Sequence, residues 1–185
     1  MSTNTLIERP EQRPEVIDEI LTTLKRYDVS VIKDLEDYLF DQYENGFSDL
    51  NSNLALLKLY ELSDETSVER QDSTIKILVK GLIQFTSSDF TLYLHLLPPY
   101  IFSTKNEYTE RIQGLVQLYE LLISNKFDQF LAKNKETSLV DEKSVKLIEE
   151  TFQNNKNAKF IIGEPASEEV PVNKLSKVVG QLLQN

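Results

Sequence analysis

Apolar positions along this chain return at the spacing of a helix rather than a strand, in one segment after another. After a polar arm punctuated by Pro10 and Pro14, Val16, Ile17, Ile20, Leu21 and Leu24 predict a first helix from Glu15. Ser30 is placed to cap a second, with Val31, Ile32, Leu35, Tyr38, Leu39 and Tyr43 as its stripe and Asn45-Gly46 as a left-handed stop. Ser48 or Asp49 caps a third, whose apolar arc (Leu50, Leu54, Leu56, Leu57, Leu59, Tyr60 and Leu62) is wide enough to predict burial between two neighbours. Beyond a polar stretch, Ile75, Leu78, Val79, Leu82 and Ile83 mark a fourth helix without a missed position. Ser87 or Ser88 caps a short central helix, Phe90 to Leu97, which Pro98-Pro99 ends. Tyr108, Ile112, Leu115, Val116, Tyr119, Leu122 and Ile123 then predict a long helix from about Glu107 to Ser124, and Phe127, Phe130 and Leu131 a shorter amphipathic piece.

The pattern changes after Asn134. Val145, Ile148 and Phe152 predict a helix from Asp141 to Phe152, and Lys159-Phe160-Ile161-Ile162 reads as a short β-rich run. Gly163 to Glu169 reads as a turn, Val170-Pro171-Val172 as an edge strand, and Asn173 as the cap of a last helix. The expected organisation is therefore an arm at 1–14, a helical body at 15–134 and a small C-terminal module at 135–185.

Composition narrows the class. At 185 residues, with 40% apolar and 27% charged residues, the chain suits one globular domain or one domain with an appendage. Twenty Lys and Arg against thirty Asp and Glu give a net charge of −10, which repels phosphate backbones and argues against autonomous nucleic-acid binding. The absence of cysteine removes disulfides, thiolate nucleophiles and Cys-based metal sites. The first residues lack the apolar stretch of a signal peptide, and no window approaches eighteen apolar residues, so neither secretion nor a membrane span is expected.

Catalytic parts are scarce. His95 is the sole histidine, which leaves no His-pair metal site and no relayed triad. Its neighbours Tyr93, Leu94, Leu96 and Leu97 suggest a core or edge histidine satisfied by a hydrogen bond. The five glycines are too dispersed for a phosphate-cradling loop. Carboxylates such as Asp34, Glu36, Asp37, Glu149 and Glu150 fall on the solvent side of the stripes, and the basic pairs Lys25-Arg26, Lys76/Lys80 and Lys174/Lys177 are diluted by acids. No enzyme and no cofactor are expected. The final stripe, Leu175, Val178, Val179, Leu182 and Leu183, must be covered, either by its own domain or by partner chains.

Specific strings carry a family likeness. Asp49-Leu-Asn-Ser-Asn-Leu-Ala-Leu-Leu-Lys-Leu-Tyr60, Thr74-Ile-Lys-Ile-Leu-Val-Lys-Gly-Leu82 and Asp89-Phe-Thr-Leu92, with Tyr27, Leu35-Glu36 and Tyr38 upstream, resemble the subunit K family of eukaryotic translation initiation factor 3. The resemblance implies a mainly α fold: a HEAT-like helical repeat body followed by a winged-helix module, a variant of the PCI arrangement shared with small subunits of the proteasome lid and the COP9 signalosome. It implies Phe160–Ile162 and Val170–Val172 as wing strands and Asn173 to Leu183 as the closing helix, in a module shorter than the family plan. It also implies a non-catalytic, cytoplasmic subunit that supports preinitiation complex assembly on the small ribosomal subunit and pairs mainly with subunit L. Winged-helix faces and C-terminal helices carry contacts in that family, which assigns Leu175, Val178, Val179, Leu182 and Leu183, with Phe160 and Ile162, to partner binding. No active-site residue carries over. The same fold in the proteasome lid or the signalosome, or a winged-helix RNA binder, are the alternatives.

Overall fold

The computed structural model describes residues 9–63 and 67–162, with the backbone alone at 100, 102 and 157–162. Among these residues the chain is mainly α, with no strand. Helix α1 (Glu15–Thr22) leads through two 3-10 turns, Leu24–Tyr27 and Val29–Val31, into α2 (Ile32–Asn45), α3 (Leu50–Leu62) and α4 (Val68–Ile83). There follow α5 (Asp89–His95), α6 (Tyr100–Ser103), α7 (Glu107–Ile123), α8 (Phe127–Thr137) and α9 (Glu142–Ile162). Contacts divide the chain into two units, one ending at Phe152 and one starting at Gln153. The packing below belongs to the first.

Local signals place four of the boundaries. The carboxylate of Asp49 caps α3 by accepting from Ser52 N, and Ser67 caps α4 by accepting from Arg70 N. Asn106 and Thr109 close a reciprocal capping box at the start of α7. Gly46 ends α2 at φ 72°, ψ 23°, in the left-handed conformation that glycine adopts without a side-chain clash. Ser30 does not cap α2. Its backbone N–H instead donates to the Asp28 side chain, and the helix starts at Ile32 behind the second 3-10 turn.

Helices α3 and α4 occupy the centre. The first packs against α1, the first 3-10 turn, α2, α4 and α5, and the second against α2, α3, α5 and α7. Leu56, Leu57 and Leu59 of α3 and Ile75, Ile77, Leu78, Val79 and Leu82 of α4 are all buried. The broad apolar arc of α3 is thus matched by neighbours on more than one side, except at Leu62, the last residue of the helix, which is 51% exposed. At the α4–α5 crossing, a Cβ added to Gly81 would lie 2.8 Å from the Phe90 Cα, so glycine permits the close approach. Phe90 then stacks on Tyr119 of α7, with ring centroids 4.4 Å apart. A second aromatic group, Phe85, Phe127, Phe130 and Phe152, ties α8 and the first half of α9 to the body, with Phe127 and Phe152 stacked at 4.8 Å.

Three expectations are corrected. Val16 and Leu24 do not join the core, being 59% and 85% exposed. Helix α1 stops at Thr22, and extended backbone at Thr23 takes Leu24 off the helical face. His95 is exposed as well, on the outer side of α5, which excludes the core alternative and leaves it an edge residue. Finally, Phe160 and Ile162 lie on helix, not strand, because α9 runs without a break to Ile162. From Gln153 to Lys159 there is neither Gly nor Pro, and each added residue of a formed helix gains a hydrogen bond that outweighs the weak β preference of a short run. The expected turn at 163–169, strand at 170–172 and closing helix lie outside the described residues.

Candidate functional site

The densest set of polar side chains lies inside the body, at the corner between α2 and α3. Asp49 opens α3 and is 2% exposed, and Arg13, from the end of the polar arm, is 8% exposed. Arg13 Nε donates to Asp49 Oδ2 at 2.6 Å and Arg13 Nη2 to Oδ1 at 2.8 Å, a two-pronged ion pair spanning 36 residues of sequence. Tyr38 OH donates to Oδ2 at 3.1 Å and Ser52 N to Oδ1 at 3.2 Å. A carboxylate has about four acceptor sites, so these donors leave Asp49 without a lone pair for base chemistry. It is a structural anchor. Burial, reinforced by the Asp49 charge, pushes the Tyr38 phenol well above its ordinary range.

The anchor extends inward through amides. Gln42 Oε1 accepts from Asp49 N at 2.9 Å and from Asn53 Nδ2 at 3.2 Å, while Gln42 Nε2 donates to Asn53 Oδ1 at 3.1 Å. Asn53 Nδ2 also donates to the Tyr93 hydroxyl at 3.2 Å, which links α3 to α5. Each of these groups would cost free energy if buried alone, so together they fix one arrangement of the helices.

Lys80 of α4 completes the corner from the other side. Its Nζ donates to the carbonyls of Gln42 at 2.9 Å and Phe47 at 2.7 Å, and lies 4.7 Å from the centre of the Tyr43 ring. The Nζ of Lys143, at the start of α9, reaches the Tyr43 and Glu44 carbonyls at 3.3 Å. Two lysines thus take up carbonyls around the C-terminal end of α2, where the helix dipole favours positive charge. A cavity of about 80 Å³ adjoins Lys80 and Lys143, far below the volume of a usual substrate pocket. Among the described residues no group of three or more His, Asp or Glu is placed to hold a metal ion, and no helix is long and apolar enough to cross a membrane.

Lys80 carries a pH prediction. Burial, with a contribution from Lys143, pushes its amine down to about 8. The amine of an unfolded chain titrates near 10.4, so between these values the unfolded state binds the extra proton and stability rises with pH. A neutral amine keeps two N–H donors for the two carbonyls, so the hydrogen bonds survive the change. The gain from pH 7.5 to about 10 is on the order of 2 kcal/mol. Above pH 10 the sign reverses, because burial holds Tyr43 up at about 12, and Tyr38, Tyr60 and Tyr93 are raised too, while unfolded tyrosines ionise near 10. Urea midpoints should therefore climb to about pH 10 and then fall, and Lys80→Met should remove the climb.

The sequence-assigned partner residues stand elsewhere. Phe160 and Ile162 are in the last turn of α9, and Leu175, Val178, Val179, Leu182 and Leu183 are outside the described residues. What sequence reasoning missed is the interior network: Arg13 reads as part of a polar arm, Gln42 and Asn53 are not among the apolar stripe positions, and Lys80 reads as one of a diluted basic pair. The 5% exposure of Lys80 has no signature in the local pattern.

The buried polar network, with the acceptor sites of Asp49 filled, holds the helices together around the corner between α2 and α3. The chain belongs to the CSN8/PSMD8/EIF3K family, whose pattern matches residues 70–180. Among similar proteins, eukaryotic translation initiation factor 3 subunit K of Yarrowia lipolytica is 40% identical over 131 residues, 70% of this chain and 56% of that one. The proteins of the same name from Sclerotinia sclerotiorum and Pyricularia oryzae (strain Y34) are 39% and 36% identical, over 64% and 68% of this chain and 52% of each relative. The chain thus spans about half the length of the curated relatives it matches.

Proposed function

We propose that this chain is a non-catalytic scaffold and interaction subunit of the eukaryotic translation initiation factor 3 complex in the cytoplasm, supporting assembly of the preinitiation complex on the small ribosomal subunit. The observation that carries this reading is the 40% identity to a protein named as subunit K of that factor. The saturated Asp49 network supports a packing role over a catalytic one, since the most buried carboxylate has no acceptor site left. Residues 15–134 are read as a HEAT-like body and 135–185 as a winged-helix-like module, with no strand at Phe160–Ile162. Subunit L is the foremost partner, bound through Leu175, Val178, Val179, Leu182 and Leu183, with Phe160 and Ile162 assigned to the same contact. An apolar stripe of that regularity needs a cover, and the net charge of −10 favours protein over RNA as that cover.

The test is affinity purification of the tagged chain from its own cytosol, followed by mass spectrometry. Recovery of initiation factor 3 subunits, subunit L foremost, with small-subunit ribosomal proteins is the expected result. Proteasome-lid or signalosome subunits in their place would keep the family and overturn the function, and an unaccompanied chain would overturn the scaffold reading. Val179→Asp combined with Leu182→Asp is expected to weaken partner binding more than it lowers the stability of the isolated chain.

A further inference from the structure

A groove on the outside of the body lies between the first 3-10 turn, α3 and α5. Its volume is about 390 Å³, within the range of a binding cleft and larger than the cavity beside Lys80. Leu54, Ala55, Leu92 and Leu96 supply buried and half-buried aliphatic surface. Arg26, Lys58 and His95 stand around them, and no carboxylate lines the groove. Tyr27 borders it at 57% exposure, with the Arg26 guanidinium 5.6 Å from the centre of its ring. In a chain of net charge −10, such a locally cationic, aliphatic surface departs from the average field. The larger groove between α8 and α9, about 830 Å³, mixes Asp128, Asp141 and Glu142 with Lys135 and Lys146, and so selects no charge.

We propose that this groove is a docking site for an acidic amphipathic segment of a partner protein, its aliphatic side chains seated on Leu54, Leu92 and Leu96 and its carboxylates on Arg26 and Lys58. The aliphatic lining calls for leucine-like anchors, as a groove does for one face of a helix. The rim calls for negative charge. Lys58 holds Glu61 at 2.7 Å, but both side chains are over 40% exposed. Such a surface pair is worth little, so a partner carboxylate can exchange with it. Peptide is favoured over single-stranded RNA because successive bases need successive aromatic platforms, whereas four of the lining side chains, Leu54, Ala55, Leu92 and Leu96, are aliphatic and Tyr27 and His95 supply the rings. The site involves none of the residues assigned to subunit L, so it does not rest on the proposed function.

The experiment measures fluorescence anisotropy of the full chain with three labelled probes. One is a short amphipathic helix with leucines on one face and glutamates elsewhere, the second is the same peptide with lysines for the glutamates, and the third is oligouridine RNA. The glutamate peptide should bind, and the other two should not. Arg26→Glu combined with Lys58→Glu should weaken binding at least about tenfold with an unchanged melting temperature, as reversal of rim charges does. Amide shifts induced by the peptide should centre on Leu54, Leu92 and His95. Equal binding of the lysine peptide, preference for RNA, insensitivity to charge reversal, or no binding of the glutamate peptide at millimolar concentration would each overturn the proposal.

Discussion

Leu78→Asp is expected to leave no folded chain at 25 °C. Leu78 is 0% exposed at the middle of α4, the helix that touches α2, α3, α5 and α7. Truncating a buried leucine to alanine costs about 2–5 kcal/mol through lost transfer energy and the cavity left behind. The aspartate adds an ionised group with no partner, or the free energy of protonating it at neutral pH. Together these approach the whole stability of a typical domain, about 5–15 kcal/mol. Ile123→Asp provides the contrast, because Ile123 belongs to the same kind of sequence stripe yet is 51% exposed at the end of α7. That change should cost about 1–2 kcal/mol, from the half-buried side chain and a negative charge at the C-terminal end of the helix. Far-UV circular dichroism and size-exclusion chromatography decide the matter: a helical monomer for Ile123→Asp, a collapsed or aggregated chain for Leu78→Asp, and an intermediate melting shift for Leu78→Ala. A folded Leu78→Asp monomer would mean that α4 is not the centre of the body.

The contrast between Leu78 and Ile123 also marks how far the pattern of the chain could be read. Periodicity reports which face of a helix is apolar, and it located α2, α3, α4 and α7 because each buries one such face against several neighbours. It does not report where a stripe runs past its cover, which is why Val16, Leu24 and Ile123 looked like core and are exposed. Nor does it see polar residues that turn inward. Gln42, Asn53 and Lys80 share their types with helix exteriors, and their partners lie 7 to 40 residues away in sequence. Asp49 was legible as a helix cap but not as the counter-ion of Arg13, since capping is local and the ion pair is not. The β-branched run ending at Ile162 misled for the opposite reason: its composition is local, while the helix that carries it was already formed upstream.

Asp49→Ala should be the most damaging single change that leaves the apolar core intact. It removes the α3 cap, worth about 0.5–2 kcal/mol. It also leaves the guanidinium of Arg13, at 8% exposure, with only Asp18 Oδ1 at 3.2 Å as a charged partner, and since breaking a buried pair from one side costs about 3–5 kcal/mol, this second carboxylate holds the loss to the lower part of that range. Tyr38→Phe, which deletes one donor and leaves the ion pair, should cost about 1 kcal/mol. The decisive comparison is the double variant Arg13→Met with Asp49→Ala. If the penalty of Asp49→Ala is mostly a buried charge left with Asp18 alone, removing that charge too should recover part of the lost stability, so that the double variant melts above the single one. If both variants melt together, the loss resides in the cap and in the bonds to Tyr38 and Ser52, and the guanidinium left beside Asp18 carries no penalty of its own. Recovery in the double variant would instead mean that the guanidinium is tolerated at 8% exposure because Asp49 pairs with it: the capped end of α3, fixed by the neighbouring helices, presents a carboxylate that Arg13 meets with two N–H donors.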